Sequence, residues 1–127
     1  MKLIDTNIVL RYLLNDNKEM IEEIKEVLLN EDVLILSQVV AETFYVLGKI
    51  YNVDRKKAVN MFLDFLEMES VHLDNEHILL CAITEYKNTN LDFVDVLLYS
   101  YQKHMGIEVI TFDRKLQAKL KGLEIVE

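Results

Sequence analysis

Apolar positions along the chain alternate between short continuous runs and a helical spacing. The runs predict five short strands, at 2–5, 33–36, 70–73, 108–111 and 123–126. The spacing between them predicts seven helices, at about 6–14, 17–30, 38–51, 55–68, 75–88, 92–105 and 114–120. Ser37, Asp54, Asp74 and Asp92 are placed to cap helices, and Gly106 to end one. This alternation predicts a single α/β domain over 1–127, with a mostly parallel sheet sandwiched between helices.

The composition is that of a soluble globular protein in a reducing compartment. Hydrophobic residues make up 51% of the 127 residues and charged residues 28%, which is ordinary for such a domain. The only cysteine, Cys81, lies in an apolar run, which predicts a buried, inert thiol and suits the cytoplasm. No segment reaches the roughly 20 apolar residues of a membrane span. Asp5 interrupts the N-terminal apolar run before a signal peptide develops.

Four acidic residues stand out by their positions. Asp5 ends the first predicted strand, and Asp113 lies three residues past the end of the apolar run at 108–110. In an open parallel sheet, functional groups gather at the carboxyl ends of the strands. Glu42 and Asp95 lie inside almost entirely apolar helical segments, where a buried charge needs a partner. That partner is either a metal ion shared by several acids or a Lys or Arg.

Each acid also has a purely structural explanation. Asp5 and Asp113 are placed to cap the helices that follow them. Glu42 fits a solvated helix residue, and Asp95 fits a first-turn acid favoured by the helix dipole. A functional site is favoured because one edge of the predicted sheet would gather all four acids.

Clustered carboxylates suit metal-dependent hydrolysis of phosphate esters. Mg²⁺ binds oxygen ligands and keeps several waters, and a bound cation keeps neighbouring carboxylates ionised. It can also lower the pKa of a bound water and stabilise a leaving oxygen. The histidines His72, His77 and His104 show neither metal-ligand spacing nor pairing. The sequence contains no glycine-rich phosphate loop and no G-x-S-x-G motif.

Four segments together resemble a PIN-domain protein, and the size and order of elements resemble the VapC-like toxins of toxin–antitoxin pairs. These segments are Leu3-Ile4-Asp5-Thr6-Asn7, Val40-Ala41-Glu42, Asp92-Phe93-Val94-Asp95-Val96-Leu97-Leu98 and Ile110-Thr111-Phe112-Asp113. The resemblance covers essentially the whole chain. Each segment is a weak signal singly, whereas their order and spacing are fairly specific.

The resemblance implies a three-layer α/β/α domain that cleaves RNA endonucleolytically with Mg²⁺ or Mn²⁺. By position, the family's acidic quartet falls on Asp5, Glu42, Asp95 and Asp113, with Asp5 and Asp95 as the principal metal ligands. The polar positions around such sites fall on Thr6, Asn7 and Thr111. The resemblance also implies a homodimer and a cognate antitoxin whose tail inserts at the active site.

The net charge of −8 is unusual for a nucleic-acid binder, because phosphate contacts normally come from Lys and Arg. Local basic residues must therefore bind RNA, and Arg11, Lys49, Arg114 and Lys115 are the candidates. An acidic surface would also attract a basic antitoxin segment. Three alternatives stay open: an RNA-processing nuclease without an antitoxin, a non-catalytic binding module, and a metal-dependent phosphohydrolase acting on small molecules.

Overall fold

The computed structural model describes residues 1–125, with side chains through residue 123. The chain divides into two compact units, the first spanning Met1–Glu76 and the second beginning at His77. The first unit contains β1 (Lys2–Leu3), α1 (Thr6–Leu14), α2 (Lys18–Asn30), β2 (Val33–Ile35), α3 (Ser37–Lys49), α4 (Arg55–Leu66) and β3 (Val71–Leu73). The remaining helices are α5 (Glu76–Tyr86), α6 (Phe93–Met105) and α7 (Arg114–Ile125).

The three strands form a parallel sheet in the order β1-β2-β3. Leu3 pairs with Leu34, and Leu34 pairs with His72. Each strand is followed by a helix, as parallel pairing requires. The predicted α/β class with a short parallel sheet is therefore confirmed, and its strands at 2–5, 33–36 and 70–73 are found within one to two residues.

The first unit has its core around β2 and the helices α3 and α4. Val33 and Ile35 are fully buried on β2. The aromatic rings of Phe44 on α3 and Phe62 on α4 are 5.2 Å apart between centroids. Phe65 stands edge-on to Phe62 at 6.4 Å. In the second unit, fully buried apolar residues come from all three helices: Leu79, Ala82, Ile83, Val96 and Leu116.

Several helix ends follow local signals in the sequence. The carboxylate of Asp5 accepts a hydrogen bond from the backbone N–H of Ile8 at 3.1 Å and caps α1. Gly106 ends α6 in the left-handed region, at φ 67°, where glycine has no steric penalty. Asp54 occupies the N-cap of α4, but its side chain makes no capping hydrogen bond. The prediction that Ser37 caps α3 is wrong, because the helix starts one residue earlier and Leu36 is its N-cap.

The strand predicted at 108–111 is not formed. Residues 107–113 belong to no helix or strand. Two side-chain amides bind backbone groups that a strand ladder would use. The N–H of Val109 donates to Gln102 Oε1 at 2.9 Å, and Gln117 Nε2 donates to the carbonyl of Thr111 at 2.7 Å. Ile110 and Phe112 are 92% and 97% exposed. The apolar pattern was therefore a poor guide here, because local partners replaced a neighbouring strand.

The prediction of a strand at 123–126 is also wrong for the residues that the structure describes. Residues 123–125 continue α7 to Ile125, and Val126 lies outside the described residues. An apolar run this short does not distinguish a strand from a helix end. The helices predicted elsewhere are all present, with their ends shifted by at most about two residues except at α7.

Within residues 1–125, no helix is long and apolar enough to cross a membrane.

Candidate functional site

Asp5 lies at the carboxyl end of β1, in the loop that begins α1. Its carboxylate is exposed and caps α1 through the 3.1 Å hydrogen bond to Ile8. The capping explanation is thus correct, and it is compatible with a functional role. One capping bond uses only part of the acceptor capacity of a carboxylate. The N-terminus of a helix also favours negative charge at this position.

Glu42 lies in the second turn of α3 and is exposed. The prediction that the apolar helix buries this carboxylate is wrong. Glu42 falls on the polar face of α3. Its neighbours Thr43 and Phe44 are buried instead. Since β1 and β2 are parallel neighbours, the helices that follow them, α1 and α3, both begin at the same edge of the sheet. Asp5 and Glu42 therefore both belong to helices that begin at this edge of the first unit.

Asp95 is half-buried in the first turn of α6. Burial raises the pKa of its carboxyl above the ordinary value of 3.8, and the charges of Asp113 and then Asp92 raise it further. Like charges close together disfavour ionisation in this way. The second unit therefore brings Asp95, Asp113 and Asp92 close enough to interact. The expectation of a carboxylate that lacks full hydration holds for Asp95.

Asp113 starts α7 in the way the capping explanation predicts. Its Oδ1 accepts a hydrogen bond from the N–H of Leu116 at 2.9 Å. Thr111 holds this turn, because its hydroxyl accepts from the N–H of Asp113 at 3.0 Å. Asp92 occupies the N-cap of α6 without a side-chain capping bond. Its carboxylate charge therefore adds to the acidic group of the second unit.

The polar residues beside Asp5 differ in accessibility. Thr6 is buried in the first turn of α1, whereas Asn7 is exposed. Among the four basic candidates, Arg11 is already engaged: it donates to Asp16 at 2.7 Å and to the hydroxyl of Tyr51 at 2.9 Å. The other three, Lys49, Arg114 and Lys115, are exposed.

Carboxylate oxygens are the donors that a hard divalent cation prefers, so the acids fit Mg²⁺ or Mn²⁺ by chemistry. In the part of the chain that the structure describes, no group of three or more His, Cys, Asp or Glu side chains could hold a metal ion. The assignment of Asp5, Glu42, Asp95 and Asp113 as a ligand set therefore stays a prediction. The raised pKa of Asp95 is the property that a bound cation would reverse.

The structure adds a group that sequence reasoning missed. Cys81 is only partly buried, and its Sγ lies 4.0 Å from Nε2 of His77. The rings of His77 and His104 stand edge-on to each other, with 6.3 Å between centroids. The prediction of a buried Cys81 is wrong, because this side chain is partly exposed. The histidines form no metal-binding group within the described residues, as the sequence indicated, although the rings of His77 and His104 lie near each other. The i, i+4 spacing of His77 and Cys81 was the available signal, since it places two residues on one helix face.

We predict that the metal-free protein loses stability as the pH rises through the pKa of Asp95. The folded pKa lies above the unfolded one, so the folded state holds an extra proton between the two values. This contribution is fully present below the unfolded pKa and is lost as the pH rises through the folded pKa. Urea unfolding in the presence of a chelator, from about pH 4 to 7, measures it. The Asp95→Asn variant should lack this part of the pH dependence; parallel curves for both proteins would contradict the assignment.

A family model provides the comparison with known proteins. The model of the PIN domain matches residues 2–122, which is nearly the whole chain and reaches into both units. This match agrees with the predicted three-layer α/β/α fold class and with the resemblance seen in the sequence. No curated protein and no solved structure matches the chain.

Proposed function

The chain belongs to the PIN-domain family, whose members are generally nucleases, and we propose that it is a Mg²⁺- or Mn²⁺-dependent endoribonuclease. The observation that carries the proposal is the half-buried carboxylate of Asp95, whose pKa is raised by burial and by the charges of Asp113 and Asp92. Such an arrangement stores electrostatic repulsion in the metal-free protein. A divalent cation relieves that repulsion and is what phosphodiester hydrolysis needs.

The four acids have two different roles in the proposed metal site. Asp5 and Asp95 are the principal metal ligands, and Glu42 and Asp113 complete the site directly or through water. The bound metal would supply an activated water and stabilise the leaving oxygen. The hydrogen bonds of Asp5 to α1 and of Asp113 to α7 hold two of these carboxylates in defined orientations. That orientation is useful because a small misplacement of a ligand costs much of the rate.

Of the three polar residues near the acids, Asn7 and Thr111 orient the acids or the water around them. Thr111 accepts a hydrogen bond from the N–H of Asp113 and so helps to hold the turn at that residue. Asn7 is exposed beside Asp5 and is free to meet water or a phosphate oxygen, while Thr6 is buried and supports the start of α1. Lys49, Arg114 and Lys115 supply exposed cations for the RNA backbone.

We further propose that the nuclease is the toxin of a toxin–antitoxin pair and acts as a homodimer. A groove of about 410 Å³ supports the antitoxin partner. It is lined largely by apolar residues of β1, α1 and α2, and Asp5 lies in its wall. Such a groove fits the apolar side of a peptide segment, while the protein's net charge of −8 attracts basic side chains.

Purified protein should cleave a structured RNA pool only when Mg²⁺ or Mn²⁺ is added. Asp5→Asn should lower the rate at least about 100-fold, the loss typical of one preorganised electrostatic group. The measurement is single-turnover cleavage with end-labelled RNA, in chelator and with each metal. Asp64→Asn is the matched control, because Asp64 is an exposed acid on α4, and it should cleave normally.

The outcomes separate the alternatives. Equal cleavage by the wild type and by a variant lacking all four acids would reveal a contaminant and would leave the non-catalytic binding module open. Hydrolysis of nucleotides and generic phosphate esters, without RNA cleavage, would favour the small-molecule phosphohydrolase. Toxic expression that a neighbouring small reading frame relieves supports the toxin. Harmless expression of an active enzyme favours RNA processing without an antitoxin.

A further inference from the structure

One side of helix α3 faces solvent and continues from Glu42, the proposed metal ligand. The exposed residues of α3 are Gln38, Glu42, Tyr45, Gly48 and Lys49. They recur every three or four positions and therefore lie on one side of the helix, which we call the α3 face. The opposite side is buried in the first unit through Val40, Thr43, Phe44 and Leu47. The core therefore holds this helix in place, and the α3 face is left open to a ligand.

Tyr45, at the centre of the α3 face, is the most exposed of the six tyrosines, at 60%. Tyr51 follows at 41%, and its hydroxyl accepts a hydrogen bond from Arg11 at 2.9 Å. Tyr86 and Tyr99 are buried. A tyrosine ring left in water adds little to the core, whereas its flat apolar surface can stack on another ring. Tyr45 is therefore available for stacking on a ligand.

Gly48 leaves open space beside Tyr45, three residues further along the α3 face. A Cβ at position 48 would meet no atom within 4 Å outside the surrounding helix backbone, and the backbone here is helical. Neither packing nor backbone conformation therefore requires a glycine, which is destabilising in a helix relative to alanine. Glycine is typical of places where a ligand approaches the backbone closely. Gly48 and Tyr45 thus point independently to a ligand that covers this face.

From these placements we infer that single-stranded RNA lies along the α3 face, with one base stacked on the ring of Tyr45 and a neighbouring phosphate on Lys49. The inference rests on the proposed nuclease and adds a residue that binds a base of its substrate. A helix rises about 1.5 Å per residue, so Tyr45 lies about 4.5 Å and Lys49 about 10.5 Å beyond Glu42 along the axis. The α3 face therefore presents an acid, an aromatic ring and a cation in that order, within the length of a short oligonucleotide.

The chemistry of the α3 face favours unpaired RNA over other ligands. Bases can stack on a protein ring only where they are not already stacked in a duplex, and such stacking tolerates any base sequence. Stacking does not depend on net charge, so it supplies affinity that a protein with a charge of −8 cannot obtain from bulk electrostatics. Lys49 adds the one cation that a phosphate beside the stacked base needs.

Binding of fluorescein-labelled single-stranded RNA of mixed sequence, followed by fluorescence anisotropy, tests this inference. The parent is the full chain with Asp5→Asn, so that the RNA stays intact in Mg²⁺. A second RNA of the same length lacks the bases and keeps the phosphates. The variants are Tyr45→Ala, Tyr45→Phe and Lys49→Gln. The matched controls are Leu29→Ala and Lys57→Gln, which remove an exposed apolar and an exposed basic side chain elsewhere in the first unit.

We expect Tyr45→Ala to weaken binding of the base-bearing RNA about tenfold or more, the loss typical of one stacked base. The same variant should bind the abasic RNA as the parent does, and Tyr45→Phe should stay within about twofold of the parent on both RNAs. Lys49→Gln should weaken binding of both RNAs alike and reduce the slope of log affinity against log salt concentration by about 0.7. The two controls should bind both RNAs like the parent.

Filling the open space at position 48 gives an independent measurement. Gly48→Ala should raise the melting temperature and keep RNA binding, because alanine favours the helix and adds only a methyl group. Gly48→Leu should stay folded but weaken binding of the base-bearing RNA toward the level of Tyr45→Ala, because the added side chain lies beside Tyr45. Binding by Gly48→Leu equal to that of the parent would overturn this placement of the base.

Affinity of Tyr45→Ala within about twofold of the parent, or an equal loss on the two RNAs, overturns the inference. A changed mass of Tyr45→Ala by light scattering also overturns it, because the α3 face would then join copies of the chain. Unchanged melting temperatures show that the Tyr45 and Lys49 variants are folded. Cleavage by the protein with native Asp5, without any effect of Tyr45, overturns only this inference. Tyr45-dependent RNA binding by a protein that cleaves no RNA supports the inference and refutes the proposed nuclease.

Discussion

Replacing Asp95 with Asn should abolish RNA cleavage and at the same time stabilise the metal-free protein at neutral pH. Cleavage should fall at least about 100-fold, because a principal metal ligand is lost. The melting temperature in chelator should rise, with a gain in free energy of unfolding of about 0.5–2 kcal/mol, as is common for stabilising substitutions. Single-turnover cleavage and thermal unfolding of the same preparation measure the two effects.

The gain in stability has a specific cause. The wild-type carboxylate is half-buried beside two like charges, and its raised pKa records the cost of ionising it there. Asn has nearly the same shape and carries no charge, so the repulsion disappears without a cavity. Adding Mg²⁺ should stabilise the wild type and leave Asp95→Asn nearly unaffected, since a ligand stabilises only the protein that binds it.

Asp92→Asn is the matched control for this prediction. Asp92 stands three residues before Asp95, and its charge has the smallest of the three effects on the pKa of Asp95. We expect a smaller gain in stability and retained cleavage. If Asp95→Asn cleaves RNA as fast as Asp92→Asn, Asp95 is not a metal ligand and the proposed site is wrong.

Replacing Phe62 with Ala should destabilise the fold by about 3–5 kcal/mol, the usual cost of removing a buried phenyl ring. Phe62 is fully buried on α4, and its ring lies between Phe44 of α3 and Phe65. A loss of this size is a large part of the roughly 5–15 kcal/mol that stabilises a typical domain. Urea unfolding at fixed pH measures the loss.

The same substitution at Phe112 provides the control. Phe112 is 97% exposed, so Phe112→Ala should change the free energy of unfolding by at most about 0.5 kcal/mol. A loss of several kcal/mol at Phe112 would show that residues 107–113 pack as the predicted strand would have done. A small loss at Phe62 would contradict the assigned core of the first unit.

The helices could be predicted from the sequence because each depends on residues close together in the chain. Helical hydrogen bonds join residues four apart, and caps such as Asp5 and Gly106 act within one turn. The apolar run of β2 was also sufficient to predict a strand, because a strand buried on both faces appears in the sequence as a continuous apolar run. The family resemblance rests on the same local segments, in the right order.

The predictions were wrong where the same apolar pattern is compatible with two different structures. The strand at 108–111 was expected from its apolar residues, yet Gln102 and Gln117 bind backbone groups of that segment. The run at 123–125 joined α7 instead of forming a strand. In both cases the local sequence does not distinguish a strand from the structure that forms. A strand also needs a neighbouring strand, which lies elsewhere in the chain.

The sequence was sufficient to select the acids, but it did not predict the burial and the neighbouring charges of each one. Glu42 and Asp95 both interrupt apolar helices, yet Glu42 is exposed and Asp95 is half-buried. Which helix face meets the core, and which charges come near, depends on packing between elements. The pKa shift of Asp95 and the approach of the His77 and His104 rings therefore emerge only in the folded chain. Local hydrogen bonding and periodicity act over a few residues, whereas burial and charge–charge interactions join residues that are distant in sequence.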